Sequence, residues 1–505
     1  MPPEKQATAA VLVAGAGPTG LTLAAELRRG GVDVLLLERR ADRCEDGSRA
    51  AGLQPRTVEL LDQRGIVERF LAAGSPSNLP NFAGIPLDYS RLPSRFPALN
   101  ILQAQTERIL EEVAVELGAQ LRWSTEVTGL CQDADGVEVT VEGSGGTEIL
   151  SGRYLVGCDG GRSTVRKLAG VGFPGTDATM VCLLGDVELD EPPPRRMWLE
   201  RHEAGLITVL QLKPGWYRIV TTERDRQADP DDPVTIEEFR RSVERIVGND
   251  LIVRSASWLS YFTDSTRQAD SYRVGRVLLA GDAAHIHLPA GGQGVNMGMQ
   301  DAFNLGWKLA AVLRGEAPDT LLDTYHHERH ATDAEILKLA RAQSVLVDPD
   351  PRAADIVGVM TRLVGFDDGN RYLSHIMSGL DVRYPVPGEH PLLGRRVPDA
   401  DISTSSGDKR VFELLRAARP VLLDMSGTEE LPDAAAGWVD RIDTVTAECP
   451  SREWDVPGAG PVPTPAALLI RPDGHVAWAS DGSSNLAALC EALTTWCGAA
   501  STRAS

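Results

Sequence analysis

The 505-residue chain is short of positive charge: 51 Lys and Arg stand against 71 Asp and Glu, for a formal net charge of −20. That deficit argues against nucleic acid, whose binding needs clustered Lys and Arg to release counterions. It argues equally against adhesion to anionic membrane surfaces. The chain also lacks a long unbroken apolar run. The strongest, AAVLVAGAGPTGLTLAAEL, is interrupted by Gly and Pro and carries Glu26 at its end. It therefore reads as neither a spanning helix nor a signal peptide. Seven cysteines are scattered without a C-x-x-C. A zinc knuckle and a disulfide framework are both excluded, and the pattern fits a reducing cytoplasm. No internal repeat recurs at the periods of solenoids or propellers.

What is present is an ordinary globular composition, at a length that predicts two to four domains. The first forty residues alternate as strand, glycine turn, helix, strand. A second helix-and-strand block runs from QAQTERILEEVAVELGA through RYLVGCDGG. Residues 172–270 change to short alternating segments, which predict a mostly antiparallel sheet. Strand and helix signals return from Arg276 to about Val347, and RYPVPGEHPLLGRRVPDAD reads as a linker. The last hundred residues read as a small separate α/β unit.

Within VLVAGAGPTGLTLAAEL, Gly15, Gly17 and Gly20 form G-x-G-x-x-G between a strand and a helix, and Glu38 closes the next strand. The first glycine makes the turn and the second lets a pyrophosphate approach the helix amides. The third permits close helix packing, and the acid takes ribose hydroxyls. This dinucleotide unit occurs once, so one dinucleotide is held durably and any other must visit. In YLVGCDGGRSTVRK, Asp159 at a glycine turn reads either as a ligand-orienting carboxylate or as the cap of the next helix. Asp282 carries the same ambiguity. The stretch GDAAHIHLPAGGQGVNMGMQDA places many glycines between a strand and a helix, which calls for a close backbone approach. Its His285 and His287, and His326 with His330, invite a metal reading. No suitable third ligand is nearby and H-E-x-x-H is absent, so surface or loop histidines and no metal are expected. The few aromatics of the middle region, Phe82, Trp216, Tyr217, Trp258, Tyr261 and Phe262, read individually as core and together as walls of a flat apolar pocket.

Four ordered motifs, VLVAGAGPTGLTLAAEL…LLLERR, SRAAGLQPRTVELLDQRG, YLVGCDGGRSTVRK and GRVLLAGDAAHIHLPAGGQGVNMGMQDAFNLGWKLAAVL, resemble the single-component FAD aromatic hydroxylases typified by p-hydroxybenzoate hydroxylase. The last motif and the tail AALLIRPDGHVAWA look closest to hydroxylases of polycyclic aromatic polyketides such as angucyclines and anthracyclines. The resemblance spans essentially the whole chain. It implies an α/β chain, α+β overall. A Rossmann-like FAD-binding domain would comprise residues 1–75, 100–171 and 271–385. A β-sheet substrate domain would comprise 76–99 and 172–270, followed by a thioredoxin-like C-terminal domain at 394–505. Lacking C-x-x-C, that last domain is expected to serve packing or dimer contacts; the oligomeric state stays open, with a homodimer as one alternative.

Carried over by position, the resemblance implies that Gly15, Gly17, Pro18, Thr19 and Gly20 receive the FAD pyrophosphate, while Glu38 and Arg39 serve the adenosine side. Arg49 would lie near the flavin, Gln105 on the ribityl side, and Asp159 with Gly160 beside FAD and nicotinamide. Asp282 would hold a ribityl hydroxyl. Pro289, Gly291, Gly292, Gly294, Val295 and Asn296 would lie against the isoalloxazine, and among them Arg49, Pro289 and Gly292 are nearest the chemistry. Phe82, Trp216, Tyr217 and Tyr261 are the candidate substrate contacts. Tyr217, Tyr261 and His202 are the candidate bases toward a substrate phenol.

The implied reaction uses transient NADPH or NADH to reduce FAD, and O₂ to form a C4a-hydroperoxide that an electron-rich ring attacks. A helix N-terminus aimed at the reduced ring would stabilise its charge. The function expected is hydroxylation of a polycyclic polyketide phenol or quinone in antibiotic biosynthesis. A Baeyer–Villiger oxygenase is the nearest alternative, and a non-catalytic flavin-bearing protein that binds an aromatic ligand is the alternative from another class. Neither a flavin halogenase (no W-x-W-x-I-P) nor a two-nucleotide disulfide reductase fits.

Overall fold

A computed structural model describes residues 8–43, 47, 50–77, 80–193, 197–224, 233–428, 430–482 and 485–501. The strand Val11–Ala14, the helix Pro18–Arg29 and the strand Val34–Leu37 form where the alternation places them. Both strands are fully buried apolar runs, as in a sheet covered on two faces. Val11–Ala14 pairs in parallel with Val34–Leu37 on one side and Tyr154–Gly157 on the other. Gln120–Arg122 and Val277–Leu279 extend this parallel sheet, and the short antiparallel strand Arg273–Val274 closes one edge. The helix Gly294–Leu313 packs on Pro18–Arg29, with Gly306 against the Glu26 side chain.

The middle region is the expected antiparallel sheet, in the order Met197–His202, Gly205–Lys213, Trp216–Glu223, Val181–Leu189, Val253–Thr263. One of its faces is covered by the helix Ile236–Val247, whose Phe239, Val243 and Ile246 are buried against it. Alternation therefore gives the sheet two unlike faces, one packed on the helix and one turned away from it.

The C-terminal segment has its own six-stranded sheet and ends in the helix Leu486–Cys497. It is less separate than its sequence suggests, because one continuous apolar core runs from Val11 to Trp496. Buried ion pairs cross the same boundary. Arg64 donates to both oxygens of Glu26 and to the Leu415 and Pro472 carbonyls, and Arg471 pairs with Glu328 and Asp473. Lys308 also donates to Glu328. Removing either side of such a junction would leave buried charges unpaired. Burial pushes the Cys497 thiol up to about 12, so this domain offers no nucleophilic thiolate there.

Candidate active site

Gly15 sits at φ +101°, and an added Cβ would overlap the Cys158 carbonyl and lie 3.1 Å from the Asp159 Cα. The glycine turn thus presses against the end of the neighbouring strand. Gly20 packs equally tightly on the Gly15 carbonyl, whereas nothing lies within 4 Å in front of Gly17. Pro18 occupies the first turn of the following helix, whose N-terminus no side chain caps. First and third glycines are structural, and the second opens onto a cradle of free amides.

Glu38 is buried. Its Oε2 accepts from the Ala16 amide at 2.8 Å, and its Oε1 accepts from the Arg40 amide and Nε. It therefore braces the turn. Arg39 is exposed; it is Arg40 that pairs with Glu38 and Glu107. Gln105 is exposed at the start of its helix, while Gln103 accepts from the Ala50 amide and donates to Glu107. Arg49 lies outside the described residues.

The ambiguity at Asp159 has a clear geometry. Its carboxylate accepts from Ser163 Oγ and from the amides of Thr164 and Val165, so it caps the helix Thr164–Leu168. Gly160 beside it faces open space. Asp282 is the opposite case, exposed and without an ion pair among the described residues. Thr19 wedges between Gly281 and Gly298, where an added Cβ on either would strike its hydroxyl. Asp282 is thereby fixed at the mouth of the first helix.

Pro289 and Gly292 are exposed, and Gly292, at φ +65°, has nothing within 4 Å before it. Side-chain amides from distant segments hold this loop. Gln54 Nε2 donates to the Gly291 carbonyl, and Asn296 Nδ2 to the Gly292 carbonyl at 2.7 Å. Asn296 Oδ1 accepts from the Gln54 amide, and Gln293 Nε2 donates to the Met377 carbonyl. Asn296 is thus a pin of the loop, fully buried, while Gly294 and Val295 open a helix that no side chain caps. Gln54, Gln103, Gln293 and Gln343 were not singled out by the sequence. Their only signal is a polar side chain at an otherwise buried position.

The expected surface histidines are not at the surface. His285 is buried with Nε2 2.8 Å from Asp301, whose other oxygen accepts from Arg329 at 2.7 Å. Arg329 also donates to Asp333, and Asp301 accepts from the Gly281 amide. Burial disfavours charge on His285, but Asp333 and Asp301 outweigh it and raise its pKa to about 9. Burial pushes Asp333 up, while Arg329 and His285 hold Asp301 low against the same penalty. His285, Asp301 and Asp333 are close enough to share a metal ion. Arg329 already supplies the positive charge between both carboxylates, so the cluster reads as an ionic support under the loop. His326 and His330 are half-buried around the Tyr272 ring.

Two candidate substrate contacts lie on the helix-covered face. Tyr217 and Tyr261 are buried in the core beneath the helix Ile236–Val247, and the Tyr261 hydroxyl donates to Glu238. Phe82 is buried among Ile85, Leu87 and Met377, and Trp216 lies at a hairpin with Lys213 over its ring. His202, at a strand end, lies 3.7 Å from Glu200. The face away from the helix carries buried Leu184 and half-buried Trp258, Ser260 and Phe262, with a buried bidentate pair between Arg218 and Asp186. Gly47 presses on the Trp258 indole, which ties this face to the segment leading into Gly52 and its Asn296 contact.

This arrangement of glycine cradle, uncapped helix ends and pinned loop matches what a flavin dinucleotide needs. A family model described as "FAD binding domain" matches residues 8–340, and one described as "Aromatic-ring hydroxylase, C-terminal" matches 390–500. The chain belongs to the FAD-dependent aromatic-ring hydroxylases. These flavoprotein monooxygenases include a 12-dehydrotetracycline 5-monooxygenase/anhydrotetracycline 6-monooxygenase of Streptomyces rimosus, 47% identical over 97% of this chain and 98% of that protein. The solved OxyS anhydrotetracycline hydroxylase from Streptomyces rimosus superposes with a TM-score of 0.91 at 47% identity, covering 98% of this chain and all of that one. CabE, an aromatic hydroxylase from angucycline biosynthesis, superposes at 0.90 with 43% identity, over 97% of this chain and 99% of CabE. Among the described residues no helix of this hydroxylase is long and apolar enough to cross a membrane.

Proposed function

We propose that this cytoplasmic flavoprotein hydroxylates a polycyclic aromatic polyketide, a phenol or quinone of the tetracycline, angucycline or anthracycline kind, with NADPH or NADH as a visiting reductant and O₂ as co-substrate. The observation that carries the reading is the face of the middle sheet turned away from the helix Ile236–Val247. Its half-buried Trp258 and Phe262 offer flat apolar contact there. The tetracycline and angucycline relatives support the same substrate class.

Bound FAD supplies the redox and oxygen-activating chemistry. In this reading the amides at Gly17 hold the pyrophosphate of a Rossmann-like domain, Glu38 the ribose, and Asp282 a ribityl hydroxyl. The uncapped helix end at Gly294 and Val295 would hold negative charge on the reduced ring, in a site where fixed dipoles need no reorganisation. Gln54 and Asn296 keep those amides in place. The thioredoxin-like reading of residues 394–505 gives that domain a packing role without redox chemistry.

Purified protein should be yellow and should oxidise NADPH faster when anhydrotetracycline or an angucyclinone is added. Product NMR should show a new phenol. A lactone would point to Baeyer–Villiger chemistry, and tight polyphenol binding without stimulated NADPH oxidation would point to a binding protein.

A further inference from the structure

The helix Pro351–Val364 is apolar on two sides. Val357, Met360 and Val364 pack inward on the cluster around Phe82 and Leu346. Ile356, Val359 and Leu363 form a second stripe that is 46%, 58% and 50% exposed, and Phe366 continues it just past the helix end. A helix apolar all round is normally a buried one, and a contiguous exposed stripe marks an interaction surface. We propose that the occupant of this stripe is a second copy of the same chain, packed antiparallel about a two-fold axis.

The charges beside the stripe select that occupant. Asp355 and Arg362 lie two turns apart on the same edge of the stripe, and neither forms an ion pair among the described residues. A two-fold axis midway between them sets Asp355 of each copy opposite Arg362 of the other, so the surface is complementary to itself. A parallel arrangement would instead set like charges opposite each other. Gly358, with open space before it, lies near the midpoint and lets the backbones approach. Val359 of each copy then seats against Gly358 of the other, and Ile356 and Leu363 pack across the axis on either side.

Sedimentation velocity on the full-length, FAD-loaded protein over a concentration series tests this. A concentration-dependent dimer is expected. Leu363→Glu, or Val359→Lys should the first fold poorly, should give a monomer with unchanged flavin content and melting temperature. Asp355→Arg or Arg362→Asp alone should weaken the dimer about tenfold, and the two together should restore it. A chain monomeric throughout, whatever else the stripe then binds, overturns the proposal. A dimer indifferent to Leu363→Glu, or one the double reversal does not rescue, overturns it as well.

Discussion

The two glycine turns of the flavin domain do similar work with different support. The turn at Gly15–Gly20 is nearly self-contained: its third glycine packs on the first, and one neighbouring strand end at Cys158 backs both. The turn at Gly281–Gly294 is held from far away. Gln54 and Met377 grip its carbonyls and side chains from above, and Arg329 with Asp301 anchors the Gly281 amide from below. A local device can be read from spacing. A remote one is written in residues that look unremarkable in their own segments.

Breaking the remote support should have the largest effect. Arg329→Met leaves Asp301, Asp333 and His285 buried without their guanidinium, and should cost about 3–5 kcal/mol by chemical denaturation, with FAD lost early in the transition. Gly20→Ala strikes the local device. Overlap with the Gly15 carbonyl should cost roughly 1–3 kcal/mol and lower flavin content in the same preparation. Gln54→Leu unpins the second turn while leaving the first alone. It should cost about 1 kcal/mol, lower FAD affinity, and raise the share of NADPH oxidised without product.

The same ionic support gives the second turn a pH dependence. His285 is raised from 6.5 to about 9, so its contribution is complete below about 6.5 and lost as pH rises through about 9. Melting temperature should therefore fall on the alkaline side, and His285→Gln should flatten that fall.

The smallest effect concerns the two faces of the middle sheet. Trp258→Ala should raise KM for the polyphenol. Tyr261→Phe should cost only about 1 kcal/mol of stability, through its bond to Glu238, and leave KM unchanged. A KM change at Tyr261 instead of Trp258 would reverse the assignment of the faces.

This contrast explains what was legible. The strand–turn–helix–strand unit could be read because its glycines, its acid and its apolar runs act within about thirty residues. Alternation announced the middle sheet but not which side its helix would cover, so it did not show that Tyr217 and Tyr261 pack beneath that helix. The clue was in the helix itself, where Phe239, Val243 and Ile246 require one sheet face for their own burial. Asp159 stayed ambiguous because Ser163 and Thr164 follow at capping distance in either reading. Gln54 gave no more than that faint signal of a polar side chain among apolar neighbours, since nothing in sequence joins it to Gly291.

The central claim is that the glycine cradle exists to admit the dinucleotide, and Gly17 tests it most directly. Its backbone is extended, at φ −78°, and nothing lies within 4 Å of an added Cβ, so Gly17→Ala introduces no collision with the protein itself. FAD titration of Gly17→Ala apoprotein, followed by flavin fluorescence quenching, should show a nearly unchanged melting temperature and an affinity weaker by about a hundredfold or more. A variant that binds FAD as tightly as the parent would contradict the account.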